Sequence, residues 1–394
     1  MISILLNIVG ITLILGVAYF ISTEKNNISW KTVGITGGSL IALAFLMIKT
    51  PLWKVVEMVA NGFTWIIYQS SEGINFVFGG ALSEGWIFFI GALLPIVFIS
   101  ALIGIMAHTG LLKKFISGVG KTVAKALNID TTVAVNTVGN LFLGQSESLF
   151  LTKTQLPKAS NNVVFATLVT GMATISASII GTYAGMGADI KWIIASMPLQ
   201  LLAALTVTQI IAPTPKSTTE ELVEVEVETK SNLIETMMDY AFSGFQSVIG
   251  IAVALMVFLS LVAFINNFIG LFLPGVTIQS VLGIVFTPVA LLLGVTGEEV
   301  GIVSQLIATK LVTNEAVAFA SPNFAILTES TKAVMTIILC GFAGIGSIGI
   351  LLGGYSAIAK NKVNTVSKLG VKALLTATFV NILTGLIVAM VIAL

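Results

Sequence analysis

Arginine is absent from this chain of 394 residues, and cysteine and histidine occur once each, as Cys340 and His108. A single cysteine excludes an intrachain disulfide, and the two residues together are too few for a His/Cys metal cluster. Charge is also scarce, since charged residues make up 9% of the chain, against roughly 25% in a soluble domain. The net charge of +1 argues against a nucleic-acid partner.

Apolar residues dominate what remains. The hydrophobic fraction is 56% and the mean hydropathy is +1.04. Several windows contain the ~20 apolar residues that a helix needs to cross a bilayer, whereas the ~10-residue alternation of a membrane barrel is not seen in the sequence. The sequence therefore predicts an all-α integral membrane protein.

The chain is predicted to cross the membrane as eight helices: residues 2–21, 32–47, 86–107, 161–185, 191–211, 247–272, 331–355 and 373–394. Segments 51–80 and 111–127 mix polar or aromatic residues with apolar ones and are predicted to be interfacial helices. Segment 280–295 carries a proline and is predicted to be interfacial or half-inserted. Segment 2–21 has neither a basic leader nor a small-residue cleavage site, so we expect it to be retained.

The distribution of lysine predicts the orientation in the membrane. Lysine-rich stretches at 113–125 and 360–372 follow the third and seventh predicted crossings, which places both on one face. By the positive-inside rule that face is cytoplasmic. Both termini are then extracellular, and the acidic stretch 213–230 is expected to be a solvated cytoplasmic linker. We expect the plasma (inner) membrane of a bacterial-type cell.

Two apolar segments each carry a carboxylate at the centre, Glu147 in segment 130–152 and Glu315 in segment 297–320. A charged side chain at membrane depth costs several kcal/mol unless it is satisfied, so such residues indicate function. Both segments are predicted to be re-entrant hairpins that enter the membrane and turn back at the carboxylate.

The order of segments then repeats along the chain. Each half has a spanning helix, an interfacial helix, a hairpin, a helix broken by small residues (171–176 or 341–346) and a further spanning helix. The first half starts toward the cytoplasm and the second starts away from it, which makes an inverted-topology repeat. Such repeats indicate a secondary transporter, because the interrupted helices present freed backbone groups to substrate and ion.

Polar side chains at the two hairpin tips are candidate substrate ligands. They are Gln145, Ser146 and Glu147 at the first tip, and Asn314 and Glu315 at the second. Because no arginine or histidine adjoins either carboxylate, a neutral polar solute with hydroxyl or ring-nitrogen donors fits them. The alternative is that each carboxylate pairs with a nearby lysine, Lys153 or Lys310.

Neutral oxygens near the first break are candidate ligands for sodium. They come from Asn140, Thr174 and the carbonyls around Leu143 and Ile175. Oxygen cages bind monovalent cations in membrane proteins, but Asn140 and Thr174 are equally expected to bond only to helix backbone. At the second break, Ser347 is a candidate to bind a substrate hydroxyl, and Phe342 is a candidate to stack on a planar ring. The alternatives are that Ser347 bonds only to its own helix backbone and that Phe342 serves only in packing.

These residues resemble the concentrative nucleoside transporter family over about residues 86–394. The resemblance lies in Gly144-Gln-Ser-Glu147, in Thr309-Lys-Leu-Val-Thr-Asn-Glu315, and in Cys340-Gly-Phe-Ala343 followed by Ser347-Ile-Gly-Ile350. It implies a homotrimer of elevator-type symporters that import nucleosides with sodium or protons, without a further cofactor. A scaffold of the first, second, third and sixth crossings would hold the trimer together.

The resemblance also implies roles for single residues. The base would face Gln145, Ser146, Glu147 and Ile179, with Phe342 nearby, and the ribose would face Glu315 and Ser347. The sodium ligands would be Asn140, Leu143, Thr174 and Ile175.

Departures from the family pattern bear on the substrate. Ser146 stands where the family has threonine, Ala316 where it has phenylalanine, and Gly344 where it has the ribose-binding asparagine. Without the asparagine amide, the substrate hydroxyls are expected to hydrogen-bond to water or backbone instead, or the freed volume is expected to accommodate a larger base. The alternative cargo is another small polar solute, such as a nucleobase or an amino acid, and asparagine at 344 would then raise nucleoside affinity.

The predicted domain organisation follows the repeat. Scaffold helices occupy 1–109 and 246–275, the transport-domain halves occupy 110–212 and 276–394, and an acidic linker with an amphipathic segment occupies 213–245. An intramembrane enzyme such as a serine protease is strongly disfavoured, because the one histidine, His108, is predicted at the wrong depth to activate a nucleophile. A transporter and not an enzyme is therefore expected.

Overall fold

The computed structural model describes residues 2–82, 87–214 and 225–394, with the backbone alone for 80–82. Every regular element in these ranges is helical. The helices are α1 (Ile2–Phe20), α2 (Trp30–Lys49), α3 (Trp53–Leu82), α4 (Pro95–His108), α5 (Leu111–Leu127), α6 (Thr131–Leu143), α7 (Glu147–Phe150), α8 (Asn161–Ala173), α9 (Ile180–Gly185), α10 (Ile190–Ile211), α11 (Leu233–Gly270), α12 (Ile278–Leu292), α13 (Glu299–Val312), α14 (Glu315–Phe319), α15 (Pro322–Ala325), α16 (Glu329–Leu339), α17 (Gly346–Ile358) and α18 (Val363–Ala393). A π-helical turn, Phe89–Leu93, precedes α4.

Helical stretches long and apolar enough to cross a membrane number seven in the described part of the chain. They are Ile2–Phe20, Trp30–Lys49, Phe89–His108, Asn161–Gly185, Ile190–Ile211, Leu233–Gly270 and Lys360–Ala393. The protein is therefore a multi-pass helical membrane protein. The remaining predicted crossing, 331–355, is divided between α16 and α17 by the non-helical residues 340–345.

Some predicted boundaries differ from the observed ones. The predicted start of the third crossing at Trp86, and most of the acidic linker, lie outside the described residues. The separate amphipathic and spanning segments predicted at 231–245 and 247–272 are one continuous helix, α11. No proline interrupts the sequence of α11, so nothing removes a backbone hydrogen bond at the change from polar to apolar character.

Local signals position the approach to the site. Gly110 and Asn128, at the two ends of α5, adopt left-handed φ values of 72° and 53°. These turns let the chain fold back between α4, α5 and α6 within few residues. α6 then starts at Asp130, whose carboxylate accepts from the Thr132 amide at 2.8 Å and caps the helix.

Burial separates a central helix from a peripheral one. In the span that contains α18, 78% of an 18-residue apolar stretch is buried, whereas in α11 the corresponding share is 11%. α18 packs against α1, α8, α10, α16 and α17, and α11 packs mainly along α4. That contact is close because both helices present glycine: a Cβ at Gly244 would lie 2.5 Å from Ser100 Oγ.

The end of the linker packs on the α7–α8 connection rather than being solvated throughout. The Glu226 amide donates to the Leu151 carbonyl at 3.1 Å, and Val225 is buried. Lys153 Nζ lies 2.7 Å from the Glu226 carboxylate, which raises the pKa of Lys153 above its ordinary value. Residues 225–228 therefore join α11 to the loop that follows the first polar turn.

Candidate functional site

The two helix breaks meet in the interior. α8 ends at Ala173 and continues as extended backbone, while α16 ends at Leu339 and is followed by non-helical residues. The Phe342 amide donates to the Thr174 carbonyl at 3.4 Å. A Cβ at Gly341 would lie 2.7 Å from the Ala173 carbonyl oxygen, so the chains can approach this closely only with glycine there. Buried non-helical backbone of this kind is tolerated at membrane depth because protein groups surround it.

The turn between α6 and α7 reaches the second break. Gly144 has a φ of 103°, which a residue with a side chain rarely adopts. Gln145 is buried, and its Nε2 donates to Ser347 Oγ at 3.1 Å. Ser347 in turn donates to the Phe342 carbonyl. Two predicted substrate ligands, Gln145 and Ser347, are thus in direct contact.

The turn between α13 and α14 contacts α9. Glu315 is 9% exposed, and its Oε1 accepts from the Tyr183 hydroxyl at 2.9 Å. Tyr183 is fully buried, with its ring centroid 4.8 Å from that of Phe319. The Asn314 side chain caps α14 by accepting from the Val317 amide at 3.0 Å.

Sequence reasoning missed Tyr183. The available signal was its place on the broken helix, one turn after Ile179, where i and i+4 side chains share a face. Ile179 itself is buried and Phe342 is half-buried.

Glu147 opens into a cavity of about 180 Å³. The cavity lies between the α6–α7 turn, α4, α11 and the end of the linker, and Leu143 and Ser178 also line it. Three more acidic residues, Glu226, Glu228 and Asp239, contribute to its wall. A cleft lined by carboxylates concentrates cations and hydrogen-bond donors. Of the two predicted tip carboxylates, Glu147 lines this cavity and Glu315 is not among its described lining residues.

The alternative in which a nearby lysine pairs with each carboxylate is wrong for Lys153 and Glu147, and Lys310 makes no direct ion pair with Glu315 among the described residues. Lys153 pairs with Glu226. The Lys310 amino group donates to the Ile338 carbonyl at 2.6 Å and to Asn381 Oδ1 at 2.7 Å. Among the ion pairs of the described residues, neither Glu147 nor Glu315 takes part.

Asn140 and Thr174 lie together beside the first break. Asn140 Nδ2 donates to the Gly171 carbonyl at 3.1 Å and to Thr174 Oγ1 at 2.5 Å. Thr174 Oγ1 donates to the Thr170 carbonyl at 2.9 Å. Both residues therefore bond to backbone, as the alternative to a sodium site expects.

One acceptor of this pair remains free for a cation. Asn140 Oδ1 is buried and has no hydrogen-bond partner among the described residues. An unsatisfied buried polar atom costs about 1–3 kcal/mol. A sodium ion at this atom would remove that cost. The other predicted ligands are close in sequence: Leu143 is half-buried at the end of α6, and Thr174 and Ile175 are fully buried at the first break. Amide, hydroxyl and carbonyl oxygens are the type of ligand that binds monovalent cations in membrane proteins.

Gly344 is packed against the α13–α14 turn. A Cβ at this position would lie 2.8 Å from the Thr313 carbonyl oxygen and 3.3 Å from the Asn314 Cα. The expectation that glycine at 344 frees volume for a larger base is therefore wrong, because the backbone of the turn already fills that space.

Two helices broken at adjoining points, with buried polar side chains converging on the breaks, define the architecture of a secondary transporter. The family model described as Na+ dependent nucleoside transporter C-terminus matches residues 192–389, and its N-terminus counterpart matches residues 9–81. A third model, described as Nucleoside recognition, matches residues 89–190. The chain belongs to the concentrative nucleoside transporter family.

Whole-length relatives agree with this assignment. An uncharacterized transporter of Haemophilus influenzae is 33% identical, over 100% of this chain and 99% of its own length. The purine nucleoside transport protein NupG of Bacillus subtilis is 31% identical, over 98% of each chain. A solved structure, CNTnw in an inward-facing substrate-bound state, is 28% identical with a TM-score of 0.94, over 100% of this chain and 98% of that one.

Proposed function

We propose that this protein imports nucleosides across the plasma membrane by symport with a cation, either sodium or a proton. The observation that carries the proposal is the hydrogen bond from Gln145 to Ser347, because it joins two predicted substrate ligands of a nucleoside transporter family member, one at the first hairpin tip and one at the second helix break. The family match does not favour a nucleobase or an amino acid as the cargo.

The side chains suit the two parts of a nucleoside. Gln145 and Glu147 offer an amide and a carboxylate to the donor and acceptor edge of a base, with Ser146, Ile179 and Phe342 beside them. Glu315 and Ser347 offer acceptors to ribose hydroxyls, and a carboxylate strengthens such bonds by its charge. Asn314 contributes by capping α14, and Gly344 contributes because its lack of a side chain lets the α13–α14 turn pack closely against it.

The helix lengths support re-entrant hairpins. α6 and α13 contain 13 and 14 residues, so at ~1.5 Å per residue each extends about 20 Å, less than the ~30 Å of the hydrocarbon core. Each is followed by a polar turn and a short returning helix, which supports two hairpins in an inverted-topology repeat. With the divided α16–α17 segment, the chain would make eight crossings and leave both termini outside.

Burial supports an elevator mechanism. The strongly buried α18 and the two breaks would belong to a transport domain that moves, formed by 110–212 and 276–394. The weakly buried α11 would belong, with α1, α2 and α4, to a scaffold that holds a homotrimer. The stretch 213–232, which precedes α11, would connect these parts on the cytoplasmic side.

Gradient-driven uptake tests the proposal. Proteoliposomes with an inward sodium gradient, an inward proton gradient or neither are expected to accumulate labelled uridine or adenosine above equilibrium under one of the first two conditions. Equilibration without accumulation would indicate a channel, and no response to either gradient would refute nucleoside symport.

Removing the Thr174 hydroxyl is expected to weaken sodium activation. In Thr174→Val the Asn140 amide loses one of its two acceptors and the proposed cation loses an oxygen ligand. The sodium concentration for half-maximal uptake should therefore rise about 10-fold, the equivalent of roughly 1.4 kcal/mol. Thr170→Val, the same change one turn earlier on α8, should leave the sodium dependence unchanged. An equal response of the two variants would argue against a sodium site at Thr174.

Lys153→Met is expected to leave nucleoside uptake within about twofold of wild type, because an exposed ion pair contributes only about 0–1 kcal/mol. The initial rate of labelled uridine uptake checks this. A loss of an order of magnitude or more would mean that Lys153 acts on Glu147 after all.

A further inference from the structure

Lys310 is the buried basic residue for which the proposed function has no use. Its side chain is 3% exposed on α13, just before the turn that carries Glu315. Both of its described hydrogen bonds go to neutral oxygens, the Ile338 carbonyl and Asn381 Oδ1. Ile338 belongs to the last turn of α16, whose final carbonyls have no partner within the helix. A basic group at such a helix end is favourable, because it bonds the carbonyls and opposes the helix dipole.

Asn381 extends this contact to the first break. It is 1% exposed on α18, and while its Oδ1 accepts from Lys310, its Nδ2 donates to the Ala173 carbonyl at 2.7 Å. Ala173 is the last residue of α8, directly before Thr174 of the proposed sodium site. A continuous chain of hydrogen bonds thus runs from the end of α8 to the end of α16.

Close packing supports the same connection. A Cβ at Gly341 would lie 2.7 Å from the Ala173 carbonyl and from both polar atoms of the Asn381 amide. A Cβ at Gly344 would lie 3.4 Å from the Lys310 carbonyl. The two breaks and the α13–α14 turn therefore pack around one lysine–asparagine pair.

We propose that Lys310 is a positioning residue: through Asn381 it ties the end of α8 to the end of α16, so that a cation bound beside Thr174 strengthens nucleoside binding at Glu315 and Ser347. The proposal rests on the proposed function for the identity of the two ligands. The link between the helix ends stands on the contacts alone.

Two variants of the full-length protein distinguish the hydrogen bonds made by Lys310 from the bond that Asn381 makes to Ala173. Lys310→Met removes the donor to the Ile338 carbonyl and to Asn381. Asn381→Asp keeps an acceptor for Lys310, and even pairs it with a carboxylate, but removes the donor to Ala173. The matched control is Asn7→Asp, because Asn7 is also fully buried and caps a carbonyl, Leu292 O, at 2.9 Å, away from the breaks.

The first measurement is the dissociation constant of labelled uridine or adenosine with sodium and with choline in its place. Coupling between two sites commonly changes affinity about 5–150-fold. In Asn381→Asp the affinity without sodium should stay within about threefold of wild type. The enhancement by sodium should fall at least about fivefold, while Asn7→Asp keeps the wild-type enhancement. An Asn381→Asp protein that responds to sodium as the control does would overturn the proposal.

Hydrogen exchange of the protein without ligand gives a second readout. Amides at 174–179 should exchange faster in Asn381→Asp than in the control, and those at 340–345 should also do so in Lys310→Met. If wild-type binding responds to neither sodium nor protons, the proposed symport is wrong. The exchange pattern then still decides this inference, which unchanged protection at both breaks would refute.

Discussion

Glu315→Gln is expected to lower nucleoside uptake by about 10- to 100-fold, since a hydrogen bond to a charged group contributes about 1.5–3 kcal/mol and each 1.4 kcal/mol is tenfold. The amide keeps the size of the side chain but loses the charge that holds both the Tyr183 hydroxyl and, as we propose, the ribose hydroxyls. The buried position strengthens the effect, because little water is available to replace the lost acceptor.

The control for this prediction is Glu298→Gln, the same change at an exposed carboxylate beside the start of α13. It should leave uptake at the wild-type level. Labelled uridine uptake and binding are measured for both variants, together with the melting temperature, to separate substrate binding from folding. If Glu315→Gln takes up nucleoside at the wild-type rate, Glu315 is not a substrate ligand.

Gly344→Asn is expected to impair the protein rather than to restore the family's ribose contact. The new Cβ would meet the Thr313 carbonyl at 2.8 Å, so the α13–α14 turn must move away, and such overpacking costs about 1–3 kcal/mol. Because Glu315 follows this turn directly, its carboxylate moves with it. We therefore expect a lower melting temperature and a roughly 10-fold loss of uridine affinity, equivalent to about 1.4 kcal/mol.

Gly346→Asn is the matched control, because a Cβ at Gly346 would have no heavy atom within 4 Å. It should keep the melting temperature and uridine affinity of the wild type. Gly344→Ala separates the causes, since it adds the Cβ without the amide and should reproduce most of the loss. A Gly344→Asn protein that binds uridine more tightly than wild type would show that the turn yields and that the amide reaches the substrate.

Local sequence signals predicted much of the architecture. Long apolar runs predicted the spanning helices because the bilayer excludes polar side chains, and the seven long helices confirm the membrane class. The interruptions around Gln145 and around Ser347 were visible because polar and small residues are costly or disruptive within such runs. In the structure, Gln145 of the first interruption contacts Ser347 of the second directly.

Contacts between distant residues were not predictable in the same way. Tyr183 and Glu315 are 132 residues apart, and Asn381 and Ala173 are 208 residues apart. The sequence near Lys310 suggested Glu315 as its direct partner, because proximity along the chain was the available guide. In the structure the amino group instead donates to Asn381 and to the Ile338 carbonyl, in the last turn of α16, where carbonyls lack partners within the helix.

By itself, the sequence determined that this is a helical membrane protein with two polar interruptions of the nucleoside transporter kind, because hydropathy and motif residues act locally. The tertiary structure alone decided which polar groups satisfy one another: Gln145 with Ser347, Glu315 with Tyr183, and Lys310 with Asn381. It also showed that the α13–α14 turn packs directly against Gly344. These outcomes depend on how the helix ends pack, and burial requires each polar group to find whichever partner that packing brings within reach.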